Sequence, residues 1–224
     1  MLIKGRSEIA RMKESGRIVA RTLRLVSEEI RPGVTPVELN DLAERLIREE
    51  GGVPSFLGYR DYPAATCISV NEVVVHGIPT DIPLKEGDII SLDFGVVKDG
   101  WHADSAWTYP VGEISVAAQR LMNVTRESLY QGIAKARAGN RLGDIGHAVQ
   151  RYVESNGYGV VRELVGHGIG EKLHDEPTNV PMFGRPKTGL PLREGMTICI
   201  EPMVNQGTYK VNQLADKWTI VTAD

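Results

Sequence analysis

Residues 91–107 read SLDFGVVKDGWHADSAW, two runs of strand-forming residues joined by the dipeptide Asp99-Gly100. This dipeptide accepts the positive φ angles of a tight two-residue hairpin turn. A hairpin that turns there pairs Lys98 with Trp101, and the pairs continue outward from the turn at fixed positions. The stretch therefore predicts an antiparallel ribbon whose register is set by its turn.

This register places two carboxylates on one face of the ribbon. Gly95 faces Asp104 and Asp93 faces Ala106, so Asp93 and Asp104 lie on a diagonal and point to one spot. Two such charges raise each other's pKa unless a cation lies between them. Solvated aspartates on a surface hairpin are the alternative, but the run is so apolar that we expect it to be buried on both faces. We therefore expect a divalent cation at Asp93 and Asp104.

Composition and charge describe an ordinary folded chain. Its 224 residues are 42% apolar and 6% aromatic, which suits one large domain or two small ones. A net charge of −3 and a pI near 6.0 give no reason to expect nucleic acid or a membrane as a partner. No apolar run is long enough to span a membrane, so we expect a cytoplasmic protein. Cys67 and Cys199 are expected to be reduced thiols.

The order of predicted elements indicates an α+β fold. Apolar residues recur at helical spacing over residues 7–30, 116–136 and 142–155. Another helix opens at TPVE (35–38), where Thr35 and Glu38 form a capping box, and closes at Gly51-Gly52. Strand-like runs lie at residues 66–76, 88–97, 101–109, 160–165, 196–204 and 217–222. Two helices followed by strands thus occur twice.

Repeated segments indicate an internal duplication. PLKEGDIISLD (83–93) matches PLREGMTICIE (191–201), which makes Asp93 and Glu201 counterparts. Two further pairs match in the same order: HGI at 76–78 with HGI at 167–169, and EIRPGVTPVEL at 29–39 with KARAGNRLGDI at 135–145. We predict one catalytic domain over residues 1–224, with halves of roughly 1–110 and 111–224 related by a pseudo-twofold axis around an antiparallel-rich sheet. This arrangement brings Asp93 and Glu201 to one cleft.

Four motifs allow a comparison with known families. They are YRDYPAATCISVNEVVVHGIP (59–79), SLDFG (91–95) with Asp104 eleven residues after Asp93, VGHGIGEKLHDEP (165–177) and CIEPMV (199–204). On these motifs nearly the whole chain is similar to the methionine aminopeptidases of the bacterial type I form. The sequence shows no zinc-finger extension and no leading domain as in the related prolidases. The resemblance implies the duplicated pita-bread fold, an α/β sandwich. It also implies removal of the initiator methionine from nascent proteins whose second residue is small.

The resemblance also implies a role for individual residues. The metal ligands would be Asp93, Asp104, His167 and Glu201, with Asp104 bridging two ions. Carboxylate and imidazole donors suit Co, Mn, Fe or Zn in a divalent state. Two such ions about 3.5 Å apart would activate a bridging water to attack the first peptide bond. A free α-amine that coordinates one ion would restrict the reaction to N-termini, and Glu201 would shuttle a proton.

Two histidines and an apolar pocket complete the implied site. His76 would contact the scissile peptide and His174 would stabilise the oxyanion, although a lone histidine in a strand is also a common structural residue. The methionine pocket would consist of Tyr59, Tyr62, Cys67, Leu173 and Trp218. Leucine at position 173 departs from the aromatic residue that the family often carries, and core packing is the alternative role for the aromatic members. His102 and His147 match no functional position.

The end of the sequence departs from the family pattern. In the family a further strand follows the segment WTIVTAD (218–224) and brings a last glutamate that bridges both metals. We therefore expect that ligand to be absent here, either because the chain is a fragment or because it is a natural short form. On this hypothesis one ion is held tightly rather than two, and a sheet edge is left unpaired.

Three function classes follow from the sequence. The first is a working methionine aminopeptidase, a monomer that acts on nascent N-terminal peptides and associates transiently with the ribosome. The second is an Xaa-Pro peptidase on the same fold. The third is a catalytically impaired peptide-binding form that lacks the last carboxylate ligand. The intact set of four ligands and two histidines favours the first class.

Overall fold

The computed structural model describes residues 3–175 and 178–224, and within them the chain forms four α-helices and eleven strands. The helices are α1 (Arg6–Ser27), α2 (Pro36–Glu49), α3 (Val116–Ile133) and α4 (Leu142–Ser155). The strands are β1 (Val53–Pro54), β2 (Cys67–Val70), β3 (Val73–Val75), β4 (Ile89–Lys98), β5 (Trp101–Pro110), β6 (Gly159–Val160), β7 (Gly166–His167), β8 (Asn179–Val180), β9 (Val204–Asn205), β10 (Val211–Gln213) and β11 (Ile220–Thr222). The four predicted helices and the strands predicted within 66–76, 88–97 and 101–109 are found in the predicted order. The last two residues of the 165–177 motif, Glu176 and Pro177, lie outside the described residues.

The predicted hairpin is confirmed in position and register. Strands β4 and β5 pair antiparallel over ten residues each, with Lys98 opposite Trp101, Gly95 opposite Asp104 and Asp93 opposite Ala106. The turn residues Asp99 and Gly100 have φ angles of 50° and 79°. On its other edge β4 pairs with β2 and β1.

The two faces of β4 differ in burial. Ile90, Leu92, Phe94 and Val96 are fully buried and pack against α1 and α2 in one hydrophobic cluster. The opposite face, which includes Ser91 and Asp93, is only partly buried, so the prediction that both faces are buried is wrong. The reason is that the helices cover one side of the ribbon, whereas Asp93 lies on the side that carries the site described below.

The second half has its own core. Helix α4 presents Ile145, Val149 and Val153, all fully buried, to β6 and β8. A hydrogen bond of 2.8 Å from the His102 N–H to the Gly170 carbonyl joins β5 to the second half. Each half is therefore a helix pair packed on strands, and the site lies where the strands of both halves meet.

Backbone hydrogen bonds support the internal duplication. The Gly33 N–H donates to the Leu84 carbonyl at 2.8 Å, and the Leu84 N–H donates to the Val34 carbonyl at 2.8 Å. The same pair of bonds recurs in the second half, with Gly139 to Leu192 at 3.2 Å and Leu192 to Asn140 at 2.8 Å. These residues lie in, or next to, the segments that match in sequence. The halves therefore repeat in structure, while their boundary near residue 110 stays a prediction.

Helix starts repeat in the same way. The Glu38 carboxylate accepts from the Thr35 N–H at 2.8 Å, as the sequence predicts for a capping box. The Asp144 carboxylate accepts from the Arg141 N–H at 2.7 Å at the equivalent place in the second half. Helix α1 ends at Ser27, three residues before its predicted end.

The predicted strands at 160–165 and 196–204 are wrong over most of their length. Only Gly159–Val160 and Val204–Asn205 form strands, which pair with each other. The backbones approach closely next to these segments, since a Cβ on Gly166 would lie 2.3 Å from the Cys199 carbonyl oxygen. They are joined instead by single contacts, including the bridge between Gly168 and Ile198.

None of the helices within residues 3–175 and 178–224 is long and apolar enough to cross a membrane.

The equivalence of the two halves can be tested at two glycines. Gly33 and Gly139 have φ angles of +91° and +94°, and a Cβ on either would meet no atom within 4 Å. Each Gly→Ala substitution should therefore lower the free energy of unfolding by about 1–2 kcal/mol through backbone strain alone. Urea denaturation of the two variants measures this. Unequal losses, differing by more than about 1 kcal/mol, would contradict the equivalence.

Gly16 provides the matched control. It lies inside α1, and a Cβ there would make an ordinary contact of 3.9 Å with the Ala103 Cβ. Gly16→Ala should leave stability unchanged or raise it by about 0.5–1 kcal/mol, since alanine favours a helix interior.

Candidate metal centre

The structure brings the four predicted ligands together from three segments. Asp93 and Asp104 come from β4 and β5, His167 ends β7, and Glu201 lies between the Gly168–Ile198 bridge and β9. The His167 Nε2 lies 3.7 Å from the Asp104 Oδ2 and 3.4 Å from the Glu201 Oε1. The charge of Asp104 is close enough to raise the pKa of Asp93. The diagonal predicted from the hairpin register therefore exists.

The His167 imidazole is oriented by its own backbone. Its Nδ1 lies 2.9 Å from the Gly168 carbonyl oxygen, which can only accept a hydrogen bond. Nδ1 therefore carries the hydrogen, and the lone pair of Nε2 points toward Asp104 and Glu201. A carbonyl that fixes the tautomer in this way is the usual support for a metal-binding histidine.

The carboxylates repel one another. Burial, followed by the charges of Asp104 and Glu201, holds the pKa of Asp93 well above its usual range. Burial and the charge of Asp104 raise the pKa of Glu201 to about 7. Burial lowers the pKa of His167, but the nearby carboxylates of Asp104 and Glu201 outweigh burial, and that pKa is raised overall. The site thus holds more negative charge than it can keep without a proton or a cation.

The residues fit a divalent cation. The Glu201 Oε1 is buried and accepts no hydrogen bond from the described residues. Three carboxylates and an imidazole with a free Nε2 are a donor set typical of Mn, Fe, Co or Zn. A cation among them would bind the unpaired Glu201 Oε1 and would also remove the repulsion between the carboxylates.

His76 and His174 lie next to these ligands. His174 has its ring centroid 4.0 Å from that of His167, and its Nδ1 lies 2.6 Å from the Tyr59 hydroxyl oxygen. Burial and the nearby His167 lower the pKa of His174 to about 4, so its imidazole is neutral at neutral pH. His76 has a φ of 58°, a strained conformation for a residue other than glycine, and burial lowers its pKa. Strain of this kind concentrates at functional positions.

The five predicted pocket residues lie in one apolar cluster. It contains Tyr59, Tyr62, Cys67, Leu173 and Trp218 together with Phe56, Ile169, Met12, Ala64, Ile78 and Cys199. Tyr62 packs edge-on against Trp218 with centroids 5.0 Å apart. The Tyr62 hydroxyl lies 3.0 Å from the carbonyl oxygens of Thr66 and Gly77 and donates to them. Tyr62 therefore also holds the backbone next to His76.

Sequence reasoning missed Phe56, which belongs to this cluster. The signal was Gly95, at which a Cβ would lie 2.5 Å from the Phe56 Cε1. A glycine in the middle of an apolar strand indicates that another group approaches closely there.

Two further contacts were not predicted. Cys199 is a free thiol, as is Cys67, and its Sγ lies within 4.8 Å of ligand atoms of Asp104 and His167. Lys4 donates to Asp175, the neighbour of His174, at 2.7 Å, and the Lys4 side chain is 2% exposed. Neither contact joins residues that are close in sequence, so no local pattern reveals it.

The two histidines without a predicted role have other surroundings. The His102 Nδ1 lies 2.8 Å from the Ser55 Oγ, and burial lowers the pKa of His102. His147 lies on α4 in a surface groove with Lys135 and Arg151.

Comparison with known proteins assigns the class. Residues 10–221 match the model of metallopeptidase family M24, and the chain belongs to this family. Within it, the chain is similar to methionine aminopeptidases. It is 50% identical over 224 residues to the methionine aminopeptidase of Clostridium perfringens, a match that covers 100% of this chain and 90% of that relative. The solved methionine aminopeptidase of Rickettsia prowazekii matches with a TM-score of 0.98 and 41% identity, over 100% of this chain and 90% of that one.

A more distant structure shares the fold alone. The prolidase from Pyrococcus furiosus matches with a TM-score of 0.78 and 24% identity, over 89% of this chain and 57% of that one. The predicted pita-bread fold and the resemblance to methionine aminopeptidases are both confirmed by these matches.

The pKa of Glu201 predicts proton release on metal binding. Because this pKa is about 7, Glu201 is largely protonated at pH 6 in the metal-free protein and largely ionised at pH 8. A cation needs the ionised form, so Mn²⁺ should release about one more proton at pH 6 than at pH 8, and its affinity should fall as the pH drops below 7. Isothermal titration calorimetry in buffers of different ionisation enthalpy measures both the number of protons released and the affinity for Mn²⁺. Glu201→Gln should reduce the difference, and equal release by the wild type at both pH values would refute this assignment.

Proposed function

We propose that this chain is a divalent-metal-dependent aminopeptidase that removes the N-terminal methionine of nascent proteins when the second residue is small. The observation that carries the proposal is the convergence of Asp93, Asp104, His167 and Glu201 beside the apolar cluster that contains Tyr59 and Trp218. Membership of a metallopeptidase family and the similarity to methionine aminopeptidases support the same activity.

The four converging residues would hold the metal. A divalent cation supplies Lewis acidity and lowers the pKa of water. Asp104, His167 and Glu201 surround one position with both nitrogen and oxygen, whereas Asp93 and Asp104 offer only oxygen. We propose that one ion is held tightly at the first position and that any second ion at the other position is held less tightly. Cobalt, manganese, iron and zinc all suit these donors.

The chain's own residues would handle the protons. Glu201 is assigned the transfer of a proton during the reaction. His174 is neutral at neutral pH, since its pKa is about 4. If the Tyr59 hydroxyl donates to Nδ1, the hydrogen of His174 is on Nε2, where it can be donated to the oxygen of the peptide carbonyl as negative charge develops. His76 is assigned to the scissile peptide.

Selectivity for methionine is assigned to the apolar cluster. Tyr59, Tyr62, Cys67, Leu173 and Trp218 offer apolar and aromatic surface next to the carboxylates. An unbranched thioether suits such a slot and makes favourable contacts with aromatic rings. Restriction to the N-terminus is assigned to the free α-amine, a donor that an internal peptide nitrogen does not provide.

The proposal also covers the setting of the reaction. We assign the activity to a cytoplasmic monomer that meets nascent chains, with transient association at the ribosome. The chain acts as one catalytic domain whose two halves divide near residue 110.

Methionine release tests the activity. The metal-free protein is incubated anaerobically with Mn²⁺, Fe²⁺ or Co²⁺ and a Met-Ala-Ser peptide, beside Asp104→Asn as the matched variant. The wild type should release methionine and the variant should be slower by at least about a hundredfold, since a carboxylate shared by the site is lost. Acetylated Met-Ala-Ser should remain intact. Preferential hydrolysis of an Xaa-Pro dipeptide would favour the prolidase alternative, and no hydrolysis with bound metal would favour a peptide-binding protein.

The contact between Tyr59 and His174 predicts a further kinetic effect. Tyr59→Phe removes the hydroxyl that lies 2.6 Å from the His174 Nδ1 but retains the ring that packs in the pocket. The kcat should fall by up to about tenfold, the value of one hydrogen bond, while KM for Met-Ala-Ser stays within about twofold. Steady-state kinetics measures the changes in kcat and KM separately, and Tyr130→Phe on the exposed part of α3 is the control. A raised KM at unchanged kcat would show that Tyr59 only lines the pocket.

A further inference from the structure

The predicted ligands leave one potential donor out. Cys199 lies two residues before Glu201, and its Sγ, the Asp104 carboxylate oxygen and the His167 ring nitrogen all lie within 4.8 Å of one another. Donor atoms bound to one zinc-sized ion lie about 2.0–2.3 Å from it, and hence about 3–4 Å apart. The three side chains need only small adjustments to surround a single ion.

The backbone holds this thiol in place. The Cys199 N–H donates to the His167 carbonyl at 2.7 Å, and Ile198 forms a bridge with Gly168. The two segments approach so closely that Gly166 has no room for a side chain beside the Cys199 carbonyl. The position of Cys199 relative to His167 is therefore set by main-chain contacts on either side of the imidazole.

A second observation at the same place points to a cation. The Glu201 Oε1 is buried, accepts no hydrogen bond from the described residues and lies 3.4 Å from the His167 Nε2. Asp104, His167 and Cys199 offer one oxygen, one nitrogen and one sulfur within 4.8 Å of one another, and movement of Glu201 from its place beside His167 would add a second oxygen. Such a mixture of donors suits a four-coordinate ion.

We propose that the Cys199 thiolate is a metal ligand, and that the centre consequently has two unlike positions. One position is formed by Asp104, His167, Glu201 and the sulfur of Cys199, and the other by the oxygens of Asp93 and Asp104. This inference rests on the metal centre of the proposed function and adds a sulfur donor to it.

The sulfur determines which ions each position prefers. On binding, the S–H bond of Cys199 breaks, its proton passes to solvent, and a metal–sulfur bond forms. Thiolate favours ions such as Zn²⁺, Co²⁺ and Fe²⁺ over Mn²⁺ and Mg²⁺, which prefer oxygen. The position with Cys199 therefore selects the softer ions, and the position with oxygens alone accepts the harder ones.

Cys67 is the natural control. It is the other cysteine of the chain and faces Asp93 across the β2–β4 pair. It is buried in the apolar cluster with Tyr62 and is not among the three clustered donors. Cys67→Ser leaves Cys199 as the sole thiol in the protein.

The first test is spectroscopic and requires no catalysis. One equivalent of Co²⁺ is added anaerobically to the metal-free wild type, Cys67→Ser and Cys199→Ser proteins. A sulfur-to-cobalt charge-transfer band in the near ultraviolet should appear in the first two and be absent from the third. Because Cys67→Ser has one thiol, its band alone assigns the ligand even if Cys199→Ser fails to fold. A wild type or Cys67→Ser protein without the band, or a Cys199→Ser protein with it, would overturn the proposal.

The second test measures selectivity. Cys199→Ser should weaken Cd²⁺ binding by about tenfold or more, since even groups one step removed from a metal change affinity by about 10–100-fold. Mn²⁺ binding should change by less than about threefold, because manganese does not depend on the sulfur. Equal losses for both ions would show a general disturbance of the site and contradict the assigned ligand. A charge-transfer band without methionine release would leave this inference standing while the proposed activity fails.

Discussion

The crowding of three carboxylates in one partly buried place is the constraint on which the structure depends. The charge of Asp104 raises the affinity of both Asp93 and Glu201 for protons, and only a cation or bound protons can relieve the repulsion. The carboxylates stay close despite this repulsion because each lies on a different segment, and packing away from the site holds each segment in position. The helices α1 and α2 anchor one face of β4 in a dry core, which leaves its other face to carry Asp93.

Duplication explains how two such different segments come to face each other. The same paired hydrogen bonds tie Gly33 to Leu84 and Gly139 to Leu192, so the segments that lead to Asp93 and to Glu201 begin in the same way. The halves then diverge where the chemistry differs. The first half keeps a regular ten-residue hairpin, while the second replaces it with close backbone contacts around His167 and Cys199. These contacts fix the position of Cys199 relative to His167.

Local rules predicted the parts of the molecule that local interactions determine. The Asp99-Gly100 turn set the register of the hairpin and hence the diagonal of Asp93 and Asp104, and the Thr35–Glu38 box marked the start of α2. The family motifs supplied His167, Glu201 and the pocket residues, which lie together in the structure. What sequence reasoning missed depends on contacts between distant segments. The failed strands at 160–165 and 196–204, the approach of Phe56 to Gly95, and the placement of Cys199 all require knowing which backbones touch.

The ion pair between Lys4 and Asp175 gives the N-terminal segment a part in the active region. Lys4 also donates its N–H to the Gly195 carbonyl, so residues before α1 are attached to the second half at two points. Asp175 directly follows His174, and its own N–H is bonded to the Gly168 carbonyl. Removing one partner of a buried pair costs about 3–5 kcal/mol. The residues before α1 therefore hold the loop that carries His174 in place, although they lie far from that loop in sequence.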